Sequence, residues 1–304
     1  IAAVAAGGLR RSLRVPVVMN FLDHLTAFME TWPWWTAPRP LVRALMRYEL
    51  SLPRRHGADG VLAVSDPLAD RLVAAGCAPD RVLPIYYGYD ASLFRYADPA
   101  ALEGGPPVVV MHGSFDRHHL GPIAATALRV VARERPDVRF RFVGRETETL
   151  TAFRRRLAGA QPPVALEVTG FMPYAEVAGQ LARAAVGMVP YEESTGVHCA
   201  FVAKTVEYLG VGLPVVSTPL ESARRYFANE PMVRFAEFEG EGFARQILSW
   251  LKEPVARRRA WGQAASERVR QNLDWGVISA KAVDFVERIG RSRPARGAAN
   301  AGSG

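Results

Sequence analysis

The sequence predicts an α/β fold with two parallel-sheet domains, and three observations carry that prediction. From Val15 onward, short apolar strands alternate with helix-length amphipathic segments. In the second half, strands end at a small residue or a turn: Gly113, Gly144, Gly170, Pro190 and Thr218. Between the two series, residues 90–107 lose periodicity and gather Gly and Pro, which marks a domain boundary. Strands separated by single helices need right-handed crossovers, and these produce parallel sheets covered on both faces. In such sheets a ligand sits at the carboxyl ends of the strands.

Each element follows in order. The opening IAAVAAGGLRRSLR reads as a helix already under way, without the order of a signal peptide, so the chain reads as a fragment lacking its beginning. Next come a strand at 16–21, a helix over Arg39–Leu50, a strand at 60–64, a helix over Pro67–Ala75 and a strand at 81–87. The second series has strands at 107–113, 138–144, 165–170, 186–190, 213–218 and 231–235. Its helices are expected near 120–134, 147–158, 174–184, 199–210 and 221–228, with further helices to about 290. The expected division is 1–98, 99–273, a crossover helix at 274–290, and a disordered tail at 291–304 rich in small and polar residues.

Composition narrows the class. The 304 residues are 49% hydrophobic and 22% charged, enough apolar material for a large core. No apolar run approaches the roughly 20 residues that span a bilayer. Two cysteines, Cys77 and Cys199, are too few for a disulfide scaffold and suit a reducing cytoplasm. The net charge is +8, and only three of the 38 basic residues are lysines: Lys204, Lys252 and Lys281. The surplus suits phosphate-bearing ligands or an anionic membrane surface. No zinc-finger spacing or RNP-like segment supports nucleic acid as a partner.

The densest segment is ESTGVHCAFVAKTVEYLGVGLPVVSTP, residues 193–219. A helix starting near His198 places Phe201, Thr205, Tyr208 and Leu209 on one stripe, with Lys204 and Glu207 side by side on its flank. The preceding loop would supply backbone N–H groups to a phosphate. The same pair also reads as an exposed ion pair worth a few tenths of a kcal/mol. In an arginine-rich chain, however, a lysine between two strand ends suggests a site that wants a compact ammonium.

The run KTVEYLGVGLPVVST resembles the donor-binding helix and following strand of GT-B glycosyltransferases, particularly the family 4 type (glycosyl transferases group 1). MHGSFDRHH (111–119), RFRFVG (139–144), VTGFMPYAEV (168–177) and VGMVPY (186–191) resemble that family's successive elements in order. VLAVSDPLADRLVAAG and VLPIYYGYDASLF resemble the end of its acceptor domain, and SERVRQNLDWGVISAKAVDFVERI its closing helices, with Trp275 as the anchor. The resemblance implies two Rossmann-like domains, the first incomplete, and retaining transfer of a sugar from a nucleotide diphosphate donor to an acceptor hydroxyl. It implies no cofactor and no metal beyond that donor.

By the same resemblance, Lys204 neutralises the departing diphosphate and Glu207 holds the ribose. Arg117 is the candidate second cation, helped by the amides of Gly113 and Ser114, or else a surface residue at a helix start. Gly170, Phe171, His198 and Thr218 complete the expected donor contacts. The family's first glutamate, eight positions before Glu207, is replaced by Cys199, which leaves donor identity open. Glu192 and Glu193 read as solvated loop charges. Asp23 and His24 end the first strand, where they would face the cleft and contact the sugar or its phosphate; a capping Asp and an ordinary loop His fit equally.

His112, His118 and His119 crowd one segment, but adjacent histidines on a helix point about 100° apart, which argues against a metal site. Residues 31–50 carry Trp32, Trp34 and Trp35 before a helix in which Arg39, Arg43 and Arg47 lie opposite Leu41, Leu45 and Tyr48. That segment either docks on a membrane bearing a lipid-linked acceptor or packs its apolar face on the sheet. The expected setting is polysaccharide or glycolipid assembly in the cytoplasm, peripheral at the inner membrane face. Two alternatives are a nucleotide-sugar epimerase and a non-catalytic sugar-nucleotide-binding protein. A nicotinamide oxidoreductase is weakest, because no G-x-G-x-x-G follows a strand.

Overall fold

The computed structural model describes residues 2–13, 15–102 and 104–291. The first part runs α1 (Ala2–Leu13), β1 (Val18–Phe21), a 3-10 segment (Leu25–Thr31), α2 (Arg39–Arg55), β2 (Gly60–Ala63), α3 (Asp66–Ala74) and β3 (Val82–Pro84). Its three strands pair in parallel in the order β1-β2-β3. All four residues of β2 are buried, as expected of a strand covered on both faces. Local chemistry sets the helix starts. Ser65 accepts from the Leu68 N–H at 3.3 Å to cap α3, and α2 has Pro40 in its first turn, where no N–H is needed.

The second part contains β4 (Val108–His112), α4 (Pro122–Glu134), β5 (Arg139–Val143), α5 (Glu148–Leu157), β6 (Leu166–Val168), α6 (Tyr174–Leu181) and β7 (Val186–Val189). Then come α7 (Thr195–Cys199), α8 (Ala203–Gly210), β8 (Val215–Ser217), α9 (Glu221–Tyr226), β9 (Val233–Phe235) and α10 (Gly240–Leu251). The six strands are all parallel, in the order β6-β5-β4-β7-β8-β9. This is a doubly wound sheet, and its order reverses between β4 and β7. The crevice for a ligand opens at the carboxyl ends of those two strands.

Two long helices, α11 (Val255–Leu273) and α12 (Trp275–Arg291), carry the chain back to the first sheet. There Phe285 and Ile289 pack on Leu62, and Trp275 lies so close to Gly88 that a Cβ on that glycine would sit 2.8 Å from the indole. Backbone bonds from Tyr89 N–H to Leu273 O (3.0 Å) and from Trp275 N–H to Tyr89 O (3.1 Å) fix the crossing. Arg291, expected to begin a disordered tail, ends α12 and pairs with Glu287. Residues 292–304 lie outside the described residues.

Two expected elements differ. The strand at 81–87 stops at Pro84, because Tyr86 turns out of the sheet to pack on Phe201 and Tyr226. The single helix expected at 199–210 is two helices with extended backbone between them; Ala200 has ψ 134°. The carbonyls that would continue α7 are taken from outside it. Ser65 Oγ donates to Cys199 O at 2.5 Å, and Ser222 Oγ donates to Ala200 O. Segments 134 and 22 residues away in sequence therefore end this helix.

Candidate active site between the two sheets

A cleft of about 660 Å³ opens between the two sheets. Asp23, Leu25, Phe28, Trp32 and Tyr87 line it from the first part. Ser114, Arg117, His118, His119, Tyr191 and Lys204 face them from the second. The two parts are held close on either side. Glu30 Oε2 accepts from the Thr195 N–H at 2.7 Å, and a Cβ on Gly196 would lie 2.8 Å from Phe28 N. This corrects the expectation for the loop before α7. Its first amide is occupied by Glu30, and Val197 N–H bonds Ser194 Oγ at 3.2 Å.

Lys204 stands at the switch point of the sheet. α8 follows β7 after the short helix α7, and the lysine reaches across to the end of β4. A Cβ on Gly113 would lie 3.2 Å from Cε and 3.3 Å from Nζ. Gly113 also has φ 98°, a backbone conformation that favours glycine. Nζ donates to Tyr191 Oη at 3.0 Å, and no carboxylate among the described residues lies within ion-pair distance of it. With no carboxylate beside it among the described residues, this half-buried side chain is available to an anion.

Glu207 follows one turn later but is 6% exposed and does not line the cleft. Oε1 accepts from Tyr174 Oη at 2.5 Å, and Oε2 contacts His112 Nε2. Burial pushes this carboxyl up. The contacts from His112 and Tyr174, with the Lys204 charge, outweigh burial and hold it below the ordinary range. The sequence pattern found Lys204 and Glu207 but missed His112 and Tyr174 as the partners of the carboxylate.

The remaining expected residues divide. Arg117 and Ser114 are exposed on the turn after β4 and line the cleft. The Ser114 N–H has no partner among the described residues, whereas Gly113 N–H bonds Val143 O at 2.9 Å and is not available to a ligand. Gly170 and Phe171 follow β6, where Gly170 bridges Gly144 at the end of β5 and the exposed Phe171 ring lies 5.4 Å from the Arg145 guanidinium carbon. His198 lies away from the cleft: its Nδ1 accepts from Glu221 N–H at 3.2 Å, and its ring packs on Phe238. Thr218 is fully buried, with Oγ1 3.5 Å from Val189 O. Neither reaches the space in front of Lys204.

On the opposing wall, Asp23 lines the cleft, and burial together with the nearby Glu49 charge pushes its carboxyl up to about 6. His24, its neighbour, is completely buried with its Nε2 3.5 Å from Glu49 Oε2, so it does not face a ligand. Burial lowers its pKa, against the pull of Glu49.

The histidines also depart from expectation. Residues 117–119 form a turn rather than a helix, so the His118 and His119 rings lie side by side, 3.9 Å between centroids. With Asp116 they place three possible ligand atoms within 4.8 Å of one another, so the angular argument against a metal does not hold. Burial pushes His118 down to about 4 and His119 well down too, so both rings are neutral at pH 7. Cys199 is buried, and burial pushes its thiol up to about 11. Glu192 is not a solvated loop charge. It turns back to accept from Ile123 N–H at 2.9 Å, at the start of α4. Glu193 does remain exposed, 3.7 Å from His198 Nε2.

Comparison with known proteins agrees with this geometry. Residues 106–253 match the family described as glycosyl transferases group 1. No curated protein matches by sequence. Among solved structures, the chain is similar to Anabaena HepE in complex with UDP and glucose, at 19% identity and a TM-score of 0.71, over 94% of this chain and 75% of that one. It is similar to sucrose-phosphate synthase from Thermosynechococcus elongatus at 17% identity and a TM-score of 0.74, over 94% and 72%. A glycosyltransferase from Rickettsia africae aligns at 14% identity and a TM-score of 0.65, over 94% and 80%. At such identities the likeness is one of fold. The chain has the two-sheet GT-B fold, and residues 106–253 match the glycosyl transferases group 1 family.

Proposed function

We propose that the chain transfers a sugar, with retention, from a nucleotide diphosphate donor to an acceptor hydroxyl, in polysaccharide or glycolipid assembly. One observation carries the reading: Lys204, without a carboxylate partner among the described residues, faces the cleft at the point where the order of the six-stranded sheet reverses. HepE in complex with UDP and glucose shares this fold and supports a nucleotide sugar as donor.

Negative charge grows on the leaving diphosphate as the glycosidic bond breaks, so a fixed ammonium stabilises the transition state more than the ground state. Lys204 supplies that charge. Arg117, with the Ser114 N–H, is the second group on the same wall. Neutral His118 and His119 add uncharged ring donors at the same end. Glu207 lies behind this wall, where its carboxylate, fixed by Tyr174 and His112, steadies the turn of α8 that carries Lys204. Phe171 presents its ring to the base. Asp23, across the cleft, receives the acceptor side. We place the reaction in the cytoplasm, where the free thiols of Cys77 and Cys199 stay reduced.

The test is incubation with a panel of nucleotide sugars and candidate acceptors, following free nucleotide and the anomeric configuration of the product. Acceptor-dependent nucleotide release with retained configuration is expected. A changed sugar without acceptor would indicate an epimerase. Nucleotide binding without release would leave a non-catalytic binder, a reading that the buried Cys199 in place of a carboxylate favours.

A further inference from the structure

Helix α2 was expected to pack Leu41 and Tyr48 inward if it served only the core. It does not. It buries Val42, Ser51 and Pro53 and leaves Leu41 and Tyr48 exposed. Arg43 and Arg47 are exposed as well, on the flank of the helix opposite Leu41 and Tyr48, and neither has a carboxylate within ion-pair distance among the described residues. Just before the helix, Trp34 is 71% exposed and Trp35 is 69% exposed. Their rings meet edge to face at 6.2 Å, forming one aromatic projection. Trp32 and Leu25, the latter 67% exposed, also present apolar surface, and both line the cleft.

An indole has an apolar body and a polar N–H, and it settles at the headgroup level of a bilayer. Unpaired arginines beside it meet lipid phosphates, and anionic leaflets attract them further. No helix among the described residues is long and apolar enough to cross a membrane, so any contact through this face lies on the surface. We propose that Trp32, Trp34 and Trp35 with Arg43 and Arg47 dock the protein on an anionic lipid surface, and that a lipid-borne acceptor enters the cleft past Leu25 and Trp32. The acceptor part rests on the reading of that cleft as the transfer site. The acceptor's polar end passes between the sheets while its chain stays in the bilayer, because Trp32 and Leu25 are exposed and also line the cleft.

The experiment is flotation of the full chain with phosphatidylcholine vesicles, with and without phosphatidylglycerol. It compares the native protein, Arg43→Glu/Arg47→Glu and Trp34→Ala/Trp35→Ala. The native protein should float with the anionic vesicles, and the bound fraction should fall about tenfold or more in each variant. Melting temperature and the thermal shift given by UDP or GDP should stay unchanged in both, since none of these side chains lines the cleft. Failure of the native protein to float, or equal flotation of native protein and arginine variant, overturns the docking. So does self-association lost in the tryptophan variant without vesicle binding, which would assign the patch to a second copy. Flotation that persists while no nucleotide shifts the native protein leaves docking standing and overturns the reading of the cleft instead.

Discussion

Tyr174 Oη donates to Glu207 Oε1 at 2.5 Å, so the carboxylate one turn beyond Lys204 is fixed before any ligand arrives. The bond joins the start of α6 to the middle of α8, and His112 at the end of β4 holds the second oxygen. Tyr174→Phe removes a donor to a buried anion and should cost about 1.5–3 kcal/mol of stability at pH 7. The sign with pH follows from the depressed carboxyl. Its contribution is present above the unfolded carboxylate pKa and lost as pH falls through the lower folded value. Urea denaturation should therefore show the difference between native protein and Tyr174→Phe narrowing on acidification. A constant difference would mean that the hydroxyl acts through packing alone.

Asp23 runs the other way. Its folded pKa is raised to about 6, so the folded state holds a proton that the unfolded chain releases nearer pH 4. Stability contributed by this group falls as pH rises through that window. Asp23→Asn should match the native protein near pH 4 and exceed it at pH 7.5, by on the order of 1–3 kcal/mol. Parallel denaturation curves at the two pH values would show that the carboxyl is solvated as an ordinary one. The same variant tests the acceptor-side assignment, through loss of transfer with donor binding kept.

Gly113→Ala should be unfavourable twice over. The positive φ costs about 1 kcal/mol for a residue with a Cβ. The new methyl would also press on Cε and Nζ of Lys204. Thermal melting should report the first effect, and a weakened nucleotide-induced shift the second. Gly170→Ala is the control, since its φ of 78° carries similar strain while nothing lies within 4 Å of the added carbon. Equal nucleotide shifts in the two variants would remove Gly113 from the site.

Much of the fold was legible because both sheets are parallel and covered on both faces. Strands such as β4, all five residues of which are buried, then read as uninterrupted apolar runs. Lys204 was legible because helical spacing and the scarcity of lysine singled it out. Groups brought together by strand register were not. His112 and Glu207 are 95 residues apart, and Glu30 and Thr195 are 165 apart. The break between α7 and α8 was hidden for the same reason, since the hydroxyls that take its carbonyls come from Ser65 and Ser222. His24 and Thr218 were misplaced because a strand-end position gives proximity to the cleft, whereas burial of the side chain depends on Glu49 and β7 packed around it.

Calorimetric titration of UDP and GDP into the native protein, Lys204→Ala and Lys204→Arg tests the diphosphate assignment most directly. At least one nucleotide should bind the native protein, with affinity reduced about tenfold or more in Lys204→Ala. Lys204→Arg should recover it only in part, because a planar fork aims its donors differently from a compact ammonium. Equal affinity for all three proteins would contradict the assignment of Lys204 as the cation that holds the diphosphate.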